Sequence, residues 1–513
     1  MIGWSKRYRA IAYLLLNVVL LLAVVLSAVA QNAPPGLTLY VCGLLVLCTA
    51  PIVFLDSING RYALLAIFMG LYFLFFGMVD LLSLWFSDGF PAGQPGSMSA
   101  AEEGILLGAA LALGGYLLGA KLGGDAPRTG TTDITTDWPR TTILMVGLAL
   151  WICGTAAVIY FQVFAAPDKT NLSVKHGLES MGPLLTFVVM LGSLLQPLGL
   201  LILAYGYAKS RTFFWQALIV AIVLAQVVVG FITDIKAIAF LGGLLVIITK
   251  TLLDNRLPRV WLASGVIFLV IAFPIFQAYR HEVAGERGLN RTQALQNLTK
   301  VFKIAVQSRD KVTNGHQSER AQTFFERLSG KQNVAMIFEH VGVDTPLLGG
   351  NTLVAIPLAF VPRLILPDKP DVPVGQLYNK VFLKGDSDVS ISVSHVGELY
   401  WNFGWGGVLV GLPLTGLLLG FIGSRCDLSR SSSVTRLLVL VATAQCLCMG
   451  FGGSIAMSYV IWLRSLGAIG ILHLLLARRS GPQQPRARSE HRDTGMAEAF
   501  APVALARFPN VLS

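Results

Sequence analysis

Three residues in SHVGELYWNFGWGG (394–407) carry side chains able to move a proton or hold a hydroxyl: His395, Glu398 and Asn402. If 395–405 is helical, they fall at i, i+3 and i+7 on one face. An imidazole or carboxylate there could act as general base toward a hydroxyl, help worth about 10²–10⁴-fold. The competing reading is a helix-entry stripe solvated by headgroups, with Glu398 paired to a nearby cation for structure. Upstream, the apolar run TLVAIPLAFVPRLILP (352–367) is broken by Pro357, Pro362 and Pro367, and it holds Arg363, with Lys369 just beyond. A third group, Arg280, Arg287 and Arg291, crowds RHEVAGERGLNR (280–291). Arginine's planar fork suits phosphate oxygens better than a point charge does. Cations placed ahead of developing negative charge are usually the largest catalytic term. These cations therefore fit an anionic substrate, or else simply touch lipid phosphates.

The elements that must position them are membrane spans. Of 513 residues, 54% are hydrophobic and 13% charged, and the mean hydropathy is +0.66, outside the range of ordinary soluble domains. A spanning helix needs about 20 mostly apolar residues. Twelve such windows can be read, at 10–30, 36–55, 62–86, 103–122, 141–165, 183–208, 213–232, 235–252, 259–278, 404–423, 434–452 and 455–477. The pair within 213–252 reads as a tight hairpin or a partly broken pair. The fold expected is all-α and polytopic. Residues 1–278 form a membrane domain of nine spans, 279–403 a large outer loop, 404–477 three further spans and 478–513 a basic disordered tail. The first window is too long for a cleaved signal peptide.

Lys and Arg bias sets the orientation. Short inward segments carry Lys6, Arg7, Arg9, Arg61, Lys121, Lys209, Lys250, Arg425 and Arg430 among others, while the short outward loops carry only Lys169, Lys175 and Lys236. Both termini are expected in the cytoplasm. The same bias, plus attraction to anionic lipid heads, accounts for the net charge of +11, and no aromatic-interleaved basic patch suggests nucleic acid. All six cysteines lie in or beside spans, so neither a disulfide framework nor zinc-type spacing is expected in the outer loop.

The outer loop carries 14 Lys or Arg against 12 Asp or Glu between residues 280 and 404, and loops of this length are usually functional. Within ERAQTFFERLSGKQNVAMIFEHVGV (319–343), Val334, Ile337, Phe338 and Val341 recur at amphipathic helical spacing. The run 352–367 is too short to cross, and its prolines stiffen it, so it reads as a re-entrant or interfacial element. Glycines at three- to five-residue spacing in 104–124 read as close helix packing, not a nucleotide site. Arg464 lies near the middle of the last window, where the insertion cost is about 2.5–3.5 kcal/mol. It should face the bundle interior, with Asp80 or Glu398 as candidate partner, serving either structural pairing or substrate contact. Asp234 and Lys236 read as a hairpin cap.

The order of a basic mouth, FERLSG, VPRLILPDKP and GELYWNFGWGG resembles the oligosaccharide repeat-unit polymerases of the O-antigen (Wzy-type) group. Their outer loop carries a similar Pro-Arg…Pro-x-Lys-Pro element, then Gly-Glu-x-Tyr-x-Asn-Phe-Gly entering a span. One departure is that no arginine of this loop is followed by glycine eleven residues later, a pattern some such polymerases show. The resemblance implies a C-type membrane glycosyltransferase of the bacterial inner membrane. Its donor and acceptor would be undecaprenyl-diphosphate-linked oligosaccharides, and a chain-length regulator and a flippase would be partners. Glu398, His395, Arg363 and Arg280 would then be catalytic, with Arg287, Arg291, Lys369, Asn402 and Arg464 binding substrate. The short first outer loop, QNAPPGLT (31–38), has no carboxylate, so a site without cofactor or metal is expected. A ligase moving finished glycan to lipid A core, a lipid-linked oligosaccharide transporter, and a non-catalytic scaffold are the other readings.

Overall fold

The computed structural model describes residues 6–55, 58, 60–86, 98–124, 138–161, 182–210, 212–233, 236–265, 267–268, 330–358, 361, 365–366, 374–385, 390–429 and 433–477. Among them every regular element is helical, apart from one isolated bridge between Val341 and Thr345. The N-terminal elements are α1 (Lys6–Ala30), α2 (Pro35–Thr49), α3 (Pro51–Phe54), α4 (Ala63–Phe76), α5 (Met78–Phe86), α6 (Ala100–Leu122), α7 (Arg140–Ile159), α8 (Gly182–Ser210), α9 (Phe213–Thr233) and α10 (Lys236–Asp254). The segment that precedes the last three α-helices contributes α11 (Lys331–His340), α12 (Val374–Phe382) and α13 (Ser394–Phe403), followed by α14 (Trp405–Arg425), α15 (Val434–Thr443) and α16 (Ile455–Ala477).

Among the described residues, eight helical stretches are long and apolar enough to cross a membrane, and a ninth follows if α4 and α5, bent by 53°, make one broken span. The chain is a helical, multi-pass membrane protein. On α1, the exposed side chains include Leu14, Val19, Leu22 and Leu26, a face that lipid covers. The windows at 183–208 and 235–252 coincide with α8 and α10, and 259–278 is described only through 265 and at 267–268.

The centre of the bundle is a parallel pair, α6 and α14. A Cβ at Gly115 would lie 2.1 Å from the Pro413 carbonyl oxygen, and one at Gly119 2.0 Å from that of Leu417. From the other side, a Cβ at Gly416 or Gly420 would lie 2.1 Å from the carbonyl oxygen of Ala112 or Tyr116. Two small-residue faces thus press backbone to backbone, the arrangement available where lipid offers no hydrophobic drive between helices. At its start α6 carries a capping box: Glu102 N–H donates to Ser99 Oγ (3.3 Å) and Ser99 N–H to Glu102 Oε2 (2.9 Å). A second unit packs α7 against α8, where Gly154 and Gly199 allow the close approach. There Gln196 Nε2 donates to Thr155 Oγ1 (3.1 Å) and to Gln226 Oε1 (3.4 Å). Helices α9 and α10 form an antiparallel hairpin, with Ala239 against Gly230 and Gln226 against Gly242.

The stretch after α15 loses regular α geometry. It passes through a π segment (Ala444–Cys448) and a 3₁₀ turn (Met449–Gly452) before α16 begins. Cys446 and Cys448 are buried there, as packing residues. Outside the spans, α11 buries Val334, Ile337 and Phe338, the face its sequence spacing marked, and residues 319–329 lie outside the described residues. Ile337, Val341, Val374, Tyr378, Val393 and Trp401 form one small core, which ties α11, α12 and α13 into a layer over the bundle.

The glycine interface makes a test with an internal control. Gly114 has open space around it, whereas a Cβ at Gly115 meets backbone. Gly114→Ala should leave the melting temperature of the purified protein equal or higher, because alanine favours helix by about 1 kcal/mol. Gly115→Ala should lower it, by the equivalent of about 1–3 kcal/mol of overpacking. Equal melting of the two variants would contradict the close contact.

Candidate functional site

Helix α13 sits at the junction of the outer layer and the bundle. It stops at Gly404, whose φ of +61° and ψ of −147° suit a residue without Cβ. At Gly407 a Cβ would lie 2.1 Å from the Leu399 carbonyl oxygen, so α13 folds back on the start of α14 instead of running straight into it. The helix expected over 395–405 therefore breaks at its penultimate residue. His395, Glu398 and Asn402 do share one face, and they are 0%, 0% and 1% exposed. The face expected to offer a base to a hydroxyl, or to be solvated by headgroups, is sealed against protein, because the reversal at Gly404 lays α13 onto its neighbours.

Each of the three side chains has work there. Glu398 Oε2 accepts from the Ile455 N–H (2.8 Å), at the first residue of α16, so it caps that helix from another part of the chain. Burial pushes the Glu398 pKa up. The Thr352 and Ser454 hydroxyls and the Ile455 and Ala456 N–H groups pull against that. His395 Nε2 lies 3.2 Å from Ser458 Oγ, and its ring centroid is 5.0 Å from that of Phe451. Burial pulls its pKa down to about 3, against a hydrogen bond with the Gly450 backbone, so the imidazole is neutral at physiological pH. A base this weak is poorly matched to proton abstraction near neutrality. Asn402 Nδ2 donates to Thr352 Oγ1 (2.7 Å) and to the Glu398 carbonyl (2.8 Å). With Leu348 N–H on Trp401 O and Gly349 N–H on Asn402 O, it straps the start of the proline-broken run to α13.

Of that run, residues 352–358, 361 and 365–366 are described, including a 3₁₀ turn at Leu353–Ala355. Arg363 and Lys369 lie outside the described residues, as do Arg280, Arg287 and Arg291. Arg464 stands near the middle of α16 and is half-buried. Of the acids named as its candidate partners, Asp80 Oδ2 is 2.8 Å from Lys331 Nζ, and Glu398 caps the start of the same helix as Arg464, α16. The sequence reading missed Thr352, Ser454 and Ser458, and also the ion triad of Lys331, Asp80 and Glu102. Only the Ser99–Glu102 capping box had a local signal.

This arrangement gives a buried polar seam in which the Glu398 side chain occupies the N-terminus of α16. No family model, curated protein or solved structure matches this chain.

Two predictions follow from the buried seam. Glu398→Gln keeps an acceptor for the Ile455 N–H and should melt close to wild type, whereas Glu398→Leu should melt lower, since a buried helix start loses its acceptor. Equal loss in both variants would point to the charge itself. For His395, the folded pKa near 3 lies below the ordinary value of 6.5. The unfolded chain thus binds the extra proton first as pH falls from 6.5 toward 3, and stability drops through that window. Thermal melts from pH 7 to 4 should fall more steeply for wild type than for His395→Gln, and parallel curves would contradict it.

Proposed function

We propose that this chain is a polymerase that joins undecaprenyl-diphosphate-linked oligosaccharide units at the outer leaflet of the bacterial inner membrane. The observation that carries the reading is convergence of segments that resemble the repeat-unit polymerases. The amphipathic helix after FERLSG stacks on GELYWNFG through Phe338 and Tyr400, ring centroids 3.7 Å apart and 16° from parallel. Thr352, at the head of the run toward VPRLILPDKP, bonds Asn402 of the same GELYWNFG. Phe338, Thr352, Tyr400 and Asn402, which lie in or beside those segments, thus meet at one end of the bundle, and that meeting supports the reading.

The parallel run of α6 and α14 supports the twelve-span topology. Two helices in the same direction need an odd number of crossings between them. Helices α7 to α10 supply four, and the window at 259–278 supplies a fifth. Both termini then lie in the cytoplasm and the loop from Arg280 lies outside, where Arg280, Arg287, Arg291, Arg363 and Lys369 meet the donor. In the reaction, the bond between the donor sugar's anomeric carbon and the diphosphate oxygen breaks, and the diphosphate leaves with its electron pair. The acceptor hydroxyl oxygen forms the new glycosidic bond, and its proton passes to the departing diphosphate or to bulk water. Arginines beside the leaving diphosphate lower the barrier by stabilising that charge. A chain-length regulator and a flippase are the protein partners this role calls for.

A deletion strain should accumulate lipid-linked single repeat units without polymer, and purified protein should build polymer from such units. Arg363→Ala should abolish most of that polymer at normal protein level, with Arg363→Lys restoring only part. Transfer of finished glycan to lipid A core alone would identify a ligase. Movement of lipid-linked units across the bilayer without bond formation would identify a transporter.

A further inference from the structure

The residue that opens α11, Lys331, is placed against its local interest. A cation at the first turn of a helix opposes the helix dipole, and the Lys331 side chain is mostly buried. What holds it is a set of groups from three other helices. Its Nζ lies 2.8 Å from Asp80 Oδ2 on α5 and 3.1 Å from Glu102 Oε1 on α6, and 5.1 Å from the ring centroid of Tyr40 on α2. Both acids stand in the first turn of their own helices, where negative charge is favoured. The preceding residue completes the join. The Gly330 N–H donates to the Phe75 carbonyl oxygen (3.2 Å), and a Cβ there would lie 1.8 Å from the Phe75 ring. This contact falls two residues before the bend at Gly77 that separates α4 from α5.

We infer that Gly330 and Lys331 form a charge-keyed latch that fastens the outer-loop layer to the bend of the third span. Through α11 the latch sets the position of α13. The far half of α11 presses on α13: Phe338 stacks on Tyr400, and a Cβ at Gly397 would meet Ile337 at 2.9 Å. Helix α11 is thus a strut with one end keyed by charge into the bundle and the other packed on the helix of His395 and Glu398. Local sequence preference would not place a lysine at this helix start, so the docking decides its position. The inference holds whatever reaction the chain carries out.

Amide hydrogen exchange on the full-length protein in lipid nanodiscs tests it. Lys331→Met leaves buried carboxylates uncompensated and can fail to fold, so the deciding variant is Lys331→Met combined with Asp80→Asn. In that double variant, exchange across 331–340 and 394–403 should quicken at least tenfold, while α6 and α14 stay as protected as in wild type. Lys331→Arg, which keeps the charge, should exchange like wild type. Unchanged exchange in the double variant overturns the latch. So does loosening of α6 and α14 together with α11, or failure of the double variant to fold, since the charges would then support the bundle itself.

Discussion

A helix that begins inside protein, with its first N–H groups out of water, must find acceptors or lose the free energy of each unmade bond, and this constraint organises one end of the molecule. Helix α16 starts just after a stretch that has passed from π to 3₁₀ geometry; Ser454 Oγ accepts from the Met457 N–H (3.3 Å), and the Ile455 N–H finds its acceptor in another part of the chain. The acceptor for Ile455 is the carboxylate of Glu398, 57 residues away. Meeting that need brings α13 under the outer layer and excludes solvent from its polar face. It also places His395 beside Ser458 and Phe451. Satisfied backbone at membrane depth is the strictest rule such proteins obey, and here a side chain from outside the spans fulfils it.

The same economy explains the two sets of glycines. Along α6 and α14 they remove side chains so that carbonyls and Cα atoms touch, which gives a rigid spine. At Gly404 and Gly407 they let the chain reverse so that α13 lies on α14. A spine followed at once by a reversal fixes α13 in both position and direction. The outer-loop helix α11 then joins α13 to the bundle, through aromatic stacking at one end and ion pairing at the other.

The seam on α13 joins the layer over the bundle to the start of α16. Its carboxylate is spent on a helix start and its imidazole is held neutral by burial. On the proposed reading, charge stabilisation therefore falls chiefly to the arginines of the outer loop, with α13 holding the platform from which the proline-broken run departs. Asn402, through Thr352, links the two.

By itself the sequence determined the class and much of the local structure. Runs of apolar residues announced a polytopic helical membrane protein, glycine spacing announced close packing of α6, and the period of Val334, Ile337 and Phe338 announced the face that α11 buries. It also put His395, Glu398 and Asn402 on one helical face. These properties are encoded within one or two turns, where neighbours in sequence are neighbours in space. Only the tertiary structure decided what that face meets, that α13 reverses at Gly404, and that Asp80 pairs with Lys331. The physical reason is distance along the chain. Lys331 and Glu102 are 229 residues apart, and which charges share a buried site depends on how the helices assemble, information that no local pattern of residues carries.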